Sequence, residues 1–208
     1  MEYKKDIAKK SDLSMLVDLH DRNFDDKEFS KFLGKKFIYK FYELAIDDNH
    51  TRILVVRKNN KVVAFSLVFE KYSIFLKKYQ RRVLFDLVFL FLSKLAKLSI
   101  KFFIEFYKNV SSKNFLSVVD KKCYDYYVGS VVVDCNSRND FQVTTRFLEI
   151  YKDNVELIKK SGNCCWGSCR VSNSKAIRLS NTVGLRPTHI IRSYPENIQI
   201  VMYSDKKT

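Results

Sequence analysis

Glycine and proline are scarce in this chain, with five and two among its 208 residues. So few turn-forming residues exclude collagen, β-propellers and turn-rich β-sandwiches. Acidic residues are also outnumbered, because 23 Asp and Glu stand against 38 Lys and Arg, which gives a formal net charge of +15. A charge of this size favours an anionic partner, such as a nucleotide, a phosphate, a nucleic acid or a membrane surface.

Long apolar runs and a metal-binding cysteine pattern are missing as well. Residues 83–106 form the most apolar stretch, but the longest uninterrupted run is 87–92, and a membrane span needs about 20 mostly apolar residues. Cys164, Cys165 and Cys169 are spaced C-C-x-x-x-C, which departs from the usual zinc patterns. Residues 1–10 are polar and show no export signal. We therefore expect a cytoplasmic protein with reduced cysteines, no metal and no disulfide.

The remaining composition is that of a folded domain. Apolar residues make up 46% and charged residues 29%, and the length suits one domain over residues 1–208. Periodicity predicts strands at residues 3–9, 51–57, 62–69, 126–133, 164–171, 185–194 and 197–203. It predicts a helix from residue 13 and helices over residues 29–46, 72–109, 141–160 and 173–183, the last ended by Gly184. This order predicts an α/β (α+β) fold with a mixed sheet.

Residues 72–109 contain no glycine and no proline, which predicts a helical insertion, either as one helix or as two that meet near residues 77–80. Lysines at three- or four-residue steps form a stripe beside a wide apolar arc: Lys94, Lys97, Lys101 and Lys108. The stripe has several interpretations: a solvated face over a buried helix, a homodimer interface, or contact with an anionic membrane at its inner face. Nucleic-acid binding is the least supported, since no known nucleic-acid-binding motif is present.

Residues 173–187 read N-S-K-A-I-R-L-S-N-T-V-G-L-R-P. Asn173, Ala176 and Gly184-Leu185 in this stretch resemble a motif of the GCN5-related N-acetyltransferases (GNAT). The D-L-H of residues 18–20, Phe24 and the F-L-G-K-K-F of residues 32–37 resemble the subgroup of that family attached to surface-polysaccharide synthesis. The resemblance implies a twisted, mostly antiparallel sheet of six to seven strands flanked by helices, with a helical insertion after the first hairpin.

The resemblance also implies a reaction, namely acetyl transfer from acetyl-CoA as co-substrate to a primary amine, here an amino sugar. The central strand would pair with the pantetheine arm of CoA, and the turn after it would hold the pyrophosphate. The residues placed there are Val131, Val132, Val133, Arg138, Asn139, Phe141, Gln142, Val143, Thr144 and Asn173. Three catalytic candidates follow: His20 as a base or acceptor ligand, Glu70 as a proton acceptor at a strand end, and Ser180 at the position of the family's general acid.

The chain departs from the family pattern in two places, the pyrophosphate turn and the position of the general acid. The family has small residues in the pyrophosphate turn where this chain has Phe141 and Val143, and Asp140 adds a negative charge beside them. Side chains there hinder the approach of a phosphate to the backbone amides. Ser180 stands where many members have a tyrosine acid. A second interpretation is therefore open, a catalytically inactive domain of the same fold that binds a ligand or a partner.

Overall fold

The computed structural model describes residues 2–24, 29–111, 125–160, 164–193 and 197–204. A seven-stranded sheet runs through the described residues in the order β1-β2-β3-β4-β5-β7-β6. The strands are β1 (Tyr3–Ile7), β2 (Thr51–Lys58), β3 (Lys61–Phe69), β4 (Tyr127–Val133), β5 (Trp166–Arg170), β6 (Leu185–Ser193) and β7 (Asn197–Ser204). Neighbours are antiparallel except for β4 and β5, which are parallel. This confirms the predicted mixed, mostly antiparallel sheet. Pro195, at which the sequence also predicts the turn between the last two strands, lies outside the described residues.

Seven helices accompany this sheet in the described residues. They are α1 (Leu13–Asn23), α2 (Phe29–Leu33), α3 (Lys35–Asp47), α4 (Tyr72–Ala96), α5 (Ile100–Ser111), α6 (Phe141–Lys160) and α7 (Ser174–Thr182). Gly184 follows α7 with a φ of 86°, which confirms it as the residue that ends this helix. The prediction of one helix over residues 29–46 is wrong, because Gly34 separates α2 from α3 with a φ of 99°. A positive φ breaks the helical path, and glycine adopts it without steric cost.

Residues 72–111, which follow β3, form a helical hairpin made of α4 and α5. The two helices meet at residues 97–99, where Leu98 has a φ of 48°, so the prediction of a break near residues 77–80 is wrong. Phe91 of α4 packs against Phe102 and Phe106 of α5, at ring-centroid distances of 5.6 and 4.7 Å. No helix in the described part of the chain is long and apolar enough to cross a membrane.

The sheet is covered on both faces. On one face α1 and α3 bury Leu16, Tyr42 and Phe65 in one cluster. On the other face α6 supplies Phe147 and Ile150 to a second cluster. The central strand β4 contributes to both, because Val132 belongs to the first cluster and Val131 and Val133 pack against the second. Alternation along the strand therefore fixes β4 between the two helical layers.

Candidate active site

The parallel strands β4 and β5 pair with each other only at their N-terminal ends. Tyr127 pairs with Trp166 and Val128 with Gly167, and no further pairing joins these two strands in the described residues. Beyond that point β4 stays paired to β3, and β5 stays paired to β7 along its whole length. The two strands therefore diverge and leave a gap that is lined on one side by the backbone of residues 129–133.

A β-bulge shapes β4 at the start of this gap. The register shifts between Ser66 and Val68 of β3, so that Gly129 and Ser130 of β4 together oppose Leu67. A Cβ on Gly129 would lie 2.9 Å from the Phe69 ring, so the close approach of the two strands requires glycine here. Bulges of this kind redirect side chains beside active sites.

The turn after β4 leads along the chain into α6, and it is hydrogen-bonded to α1. Arg138 donates from Nη2 to Oδ1 of Asn23 at 3.1 Å and from Nε to the carbonyl of Val133 at 3.4 Å. Thr144 donates its hydroxyl to the carbonyls of Arg138 and Asp140, at 3.3 and 3.1 Å. Two of the residues predicted to hold the pyrophosphate, Arg138 and Thr144, thus lie at the open end of the gap, where they hold the turn together.

The N-terminus of α6 is capped by the carboxylate of Asp140. Its Oδ1 accepts from the amides of Gln142 and Val143, at 3.1 and 3.4 Å. Its Oδ2 accepts from the Tyr3 hydroxyl and from the Lys58 ammonium, at 2.8 and 2.7 Å. The hydrogen bond from Lys58, followed by that from Tyr3, lowers the pKa of Asp140 to about 2. The positive end of this helix, an ordinary position for a phosphate, therefore already holds an anionic group of the chain itself.

The other predicted cofactor residues surround this cap or face it across the gap. Asn139, Phe141 and Gln142 are exposed, and Phe141 keeps 81% of its surface in solvent, whereas Val143 is buried. Asn173 lies at the end of β5 and caps α7, since its Oδ1 accepts from the Ala176 amide at 3.1 Å. The α6 turn and Asn173 each follow one of the parallel strands β4 and β5, so they lie at the same end of the sheet, and their roles stay predictions.

His20 is buried inside a hydrogen-bonded chain rather than facing solvent. Its Nδ1 bonds to the Tyr42 hydroxyl at 2.9 Å and its Nε2 to the Ser30 hydroxyl at 2.8 Å. Tyr42 is fully buried as well. Burial, together with the charge of Lys31, lowers the pKa of His20 to about 4. Sequence patterns singled out His20 but missed Tyr42, because Tyr42 belongs to no local motif.

The other two catalytic candidates lie away from the open end of the gap. Ser180 is buried, and its hydroxyl bonds to the Tyr151 hydroxyl at 3.0 Å between α6 and α7. Glu70 follows β3 directly, and its amide donates to the carbonyl of His50 at 2.8 Å. Phe69 pairs with Tyr127, so Glu70 lies at the end of the sheet where β4 and β5 are still together. Both catalytic roles stay predictions.

The cysteines correct one expectation. Cys164 is disulfide-bonded, so the prediction of a chain without disulfides is wrong. Cys135, Cys165 and Cys169 are free, and Cys165 is buried. Burial also raises the pKa of the Cys169 thiol, which keeps that group in its less reactive protonated form.

A mostly antiparallel sheet that opens between its single parallel pair, followed by a turn and a helix, is the fold of the GNAT acetyltransferases. Solved structures agree. The histone acetyltransferase HPA2 and related acetyltransferase from Corynebacterium glutamicum has a TM-score of 0.60 at 14% identity, covering 100% of this chain and 98% of its own.

Two further structures have the same fold. A GNAT-family acetyltransferase from Desulfovibrio desulfuricans has a TM-score of 0.57 at 5% identity, with 97% and 98% coverage of the two chains. The ribosomal-protein-S18-alanine N-acetyltransferase from Escherichia coli has a TM-score of 0.55 at 13% identity, with 97% and 92% coverage. No protein-family model and no curated protein matches the chain.

Proposed function

We propose that this protein transfers an acetyl group from acetyl-CoA to a primary amine, and that the amine belongs to an amino sugar. The observation that supports the transfer is the gap between β4 and β5, which begins at a β-bulge and ends at a turn leading into α6. The amino-sugar acceptor rests on the resemblance of residues 18–37 to the polysaccharide-associated subgroup. The GNAT fold and the acetyltransferases among its structural neighbours support the reaction class.

The residues around the gap fit the pantetheine arm of acetyl-CoA better than they fit its pyrophosphate. A pantetheine arm contains amides that pair with the free edge of a strand, as an added peptide does, and residues 129–133 offer such an edge. The pyrophosphate end fits less well, because Asp140 occupies two amides at the N-terminus of α6. Arg138 is the cation of this turn, while Lys58 is held by Asp140. Binding of the complete molecule therefore requires Asp140 to leave its cap.

The chemistry asks little of the protein, because a thioester is already an activated acyl group. The amine nitrogen bonds to the carbonyl carbon, the carbon–sulfur bond breaks, and the proton lost by nitrogen balances the one gained by the thiolate. In this proposal an amide of β4, at Val132 or Val133, donates to the carbonyl oxygen and stabilises its developing charge.

The transfer is tested by mixing the purified protein with acetyl-CoA and a set of primary amines, namely an amino sugar, a nucleotide-linked amino sugar, a polyamine and a peptide. Release of free thiol that depends on the amine supports the proposal, and mass spectrometry of the product identifies the acylated nitrogen. We expect the amino sugars to be the best acceptors. If CoA binds but no amine accelerates thiol release, the enzymatic proposal is wrong.

Asp140 supports a second candidate function, a non-catalytic domain that keeps the fold and has lost the donor site. A carboxylate that satisfies the α6 amides removes the feature that attracts a diphosphate. This alternative predicts that neither CoA nor acetyl-CoA raises the melting temperature of the wild-type protein, whereas a ligand that binds the native state must raise it by mass action.

Replacing Asp140 by asparagine is expected to strengthen CoA binding roughly fivefold, because it removes one negative charge near the pyrophosphate and releases Lys58. Isothermal calorimetry at low and moderate salt measures the change. Glu149→Gln is the matched control, since Glu149 is an α6 carboxylate that pairs with Lys5 at 3.0 Å, farther along the helix. Arg138→Glu should act in the opposite direction. Equal affinity in wild type and Asp140→Asn would contradict the placement of the pyrophosphate at this turn.

A further inference from the structure

The α4–α5 hairpin exposes more large apolar side chains than any other part of the described chain. Phe85 and Phe89 of α4 keep 75% and 70% of their surface in solvent, and Leu98 at the tip keeps 83%. Leu84, Val88, Leu92 and Leu95 are exposed on the same helix. Exposed apolar patches of this extent mark an interaction surface in soluble folds.

These residues lie on one side of the hairpin. At 100° per residue, the exposed apolar positions of α4 between residues 84 and 95 fall within an arc of about 140°. The opposite side of α4 packs on the protein, with Phe75 and Val83 buried. On α5 the exposed residues Ile100, Ile104 and Tyr107 also recur at helical spacing. The hairpin is therefore anchored by one face and presents a second apolar face to solvent.

The charges next to this face are cationic. Lys77 and Arg81 are exposed and continue the outer face of α4 toward its N-terminus, while Lys97 and Lys101 are exposed around the tip. Asp86, the acidic residue of α4, is turned inward and forms ion pairs with Lys36 and Lys40 of α3. An apolar stripe flanked by exposed cations matches the interface of an anionic bilayer, where acyl chains lie beneath negatively charged headgroups.

A second copy of the chain fits this surface less well. A two-fold interface joins the same patch from both copies, so the cations around the tip would meet a patch that is also cationic. The acidic residue of α4 is already paired inside its own protomer. Spanning is excluded for the described helices, because none is long and apolar enough, so the hairpin would lie along the surface.

We propose that the α4–α5 hairpin docks the protein on an anionic membrane surface, with the apolar side chains of α4 and of the tip entering the headgroup region. This inference does not rest on the proposed acetyl transfer, since binding to lipid is measured without any substrate.

The experiment is flotation of the full chain with vesicles of phosphatidylcholine alone and with vesicles that contain 30 mol% phosphatidylglycerol. We expect binding to the anionic vesicles, weakened by salt, and about tenfold weaker binding to the neutral ones. Phe85→Ser with Phe89→Ser should lower anionic binding at least tenfold, and Lys97→Glu with Lys101→Glu should lower it and weaken its salt dependence. The substituted residues are exposed, and circular dichroism verifies the fold of each variant.

Matched controls carry the same chemical changes elsewhere. Ile190→Ser replaces an apolar residue that is 69% exposed on β6, and Lys10→Glu with Lys61→Glu reverses two exposed charges outside the hairpin. Both should bind like the wild type. The proposal is overturned if the wild type does not float with anionic vesicles, or if Phe85→Ser with Phe89→Ser binds equally well. It is also overturned if ultracentrifugation shows a dimer that this double variant abolishes while lipid binding persists.

Discussion

Replacing Arg57 by alanine is expected to lower the free energy of unfolding by about 3–5 kcal/mol, the cost of leaving a buried charge without its partner. Arg57 donates from Nη1 and Nη2 to the two carboxylate oxygens of Asp12, each at 2.6 Å. The Asp12 side chain is 2% exposed and that of Arg57 13%. Burial favours a raised pKa for Asp12, but the hydrogen bonds from Arg57 and from the Lys9 amide outweigh it and lower the pKa.

The measurement is denaturant unfolding at neutral pH, supported by a melting temperature that falls by roughly 10 °C for a chain of this size. Lys10→Ala is the matched control, because it breaks an ion pair with Asp47 in which the two side chains are 75% and 40% exposed. Exposed pairs contribute about 0–1 kcal/mol. If Arg57→Ala and Lys10→Ala destabilise the protein equally, the Arg57–Asp12 pair is not a buried anchor.

Acidification from pH 7.5 to pH 5 is expected to lower the free energy of unfolding by about 2 kcal/mol through His20 alone. Burial lowers the pKa of His20 to about 4, whereas the unfolded chain binds this proton near pH 6.5. Between these values the unfolded state holds more protons than the native state, so stability falls as the pH falls. Below pH 4 both states are protonated at this site, and the contribution of His20 no longer changes.

Denaturant unfolding at several pH values between 7.5 and 5 measures this slope, in a range above the titration of most carboxylates. His20→Gln retains hydrogen-bonding groups for Tyr42 and Ser30 and should flatten the slope, whatever its stability at pH 7.5. An NMR titration in which the His20 ring is half protonated above pH 6 would refute the expectation directly.

Much of the fold was predictable because it depends on local chemistry. Short apolar runs on either side of Asn59-Asn60 located β2 and β3, and Gly184 marked the end of α7, since a positive φ there demands glycine. The breaks in the helices were harder to predict. Gly34 gave a usable signal that helical periodicity on both sides concealed, whereas Leu98 adopts a positive φ that no sequence rule assigns to leucine. Tertiary packing of α5 on α4 decides that turn.

The candidate site was also predictable in part, and again its local features could be predicted while its long-range contacts could not. The sequence located the β4 strand and the turn from Arg138 to Thr144, because a strand, a turn and a helix follow one another there. It identified Asp140 as an unfavourable charge but missed its contacts with Tyr3 and Lys58, which lie 137 and 82 residues away. An aspartate just before a helix is a strong N-cap signal, and that signal would have revealed the cap.

The cap on α6 makes Asp140 an intramolecular competitor for every external anion at this helix end. Its carboxylate is tethered two and three residues from the amides that it occupies, so its local concentration never falls on dilution. The apparent dissociation constant of any anion is then the intrinsic one divided by the fraction of molecules in which the carboxylate has left. With a pKa of about 2 for Asp140, protonation does not release it near neutral pH. An external anion therefore occupies the N-terminus of α6 only if its intrinsic affinity is high enough to displace the Asp140 carboxylate.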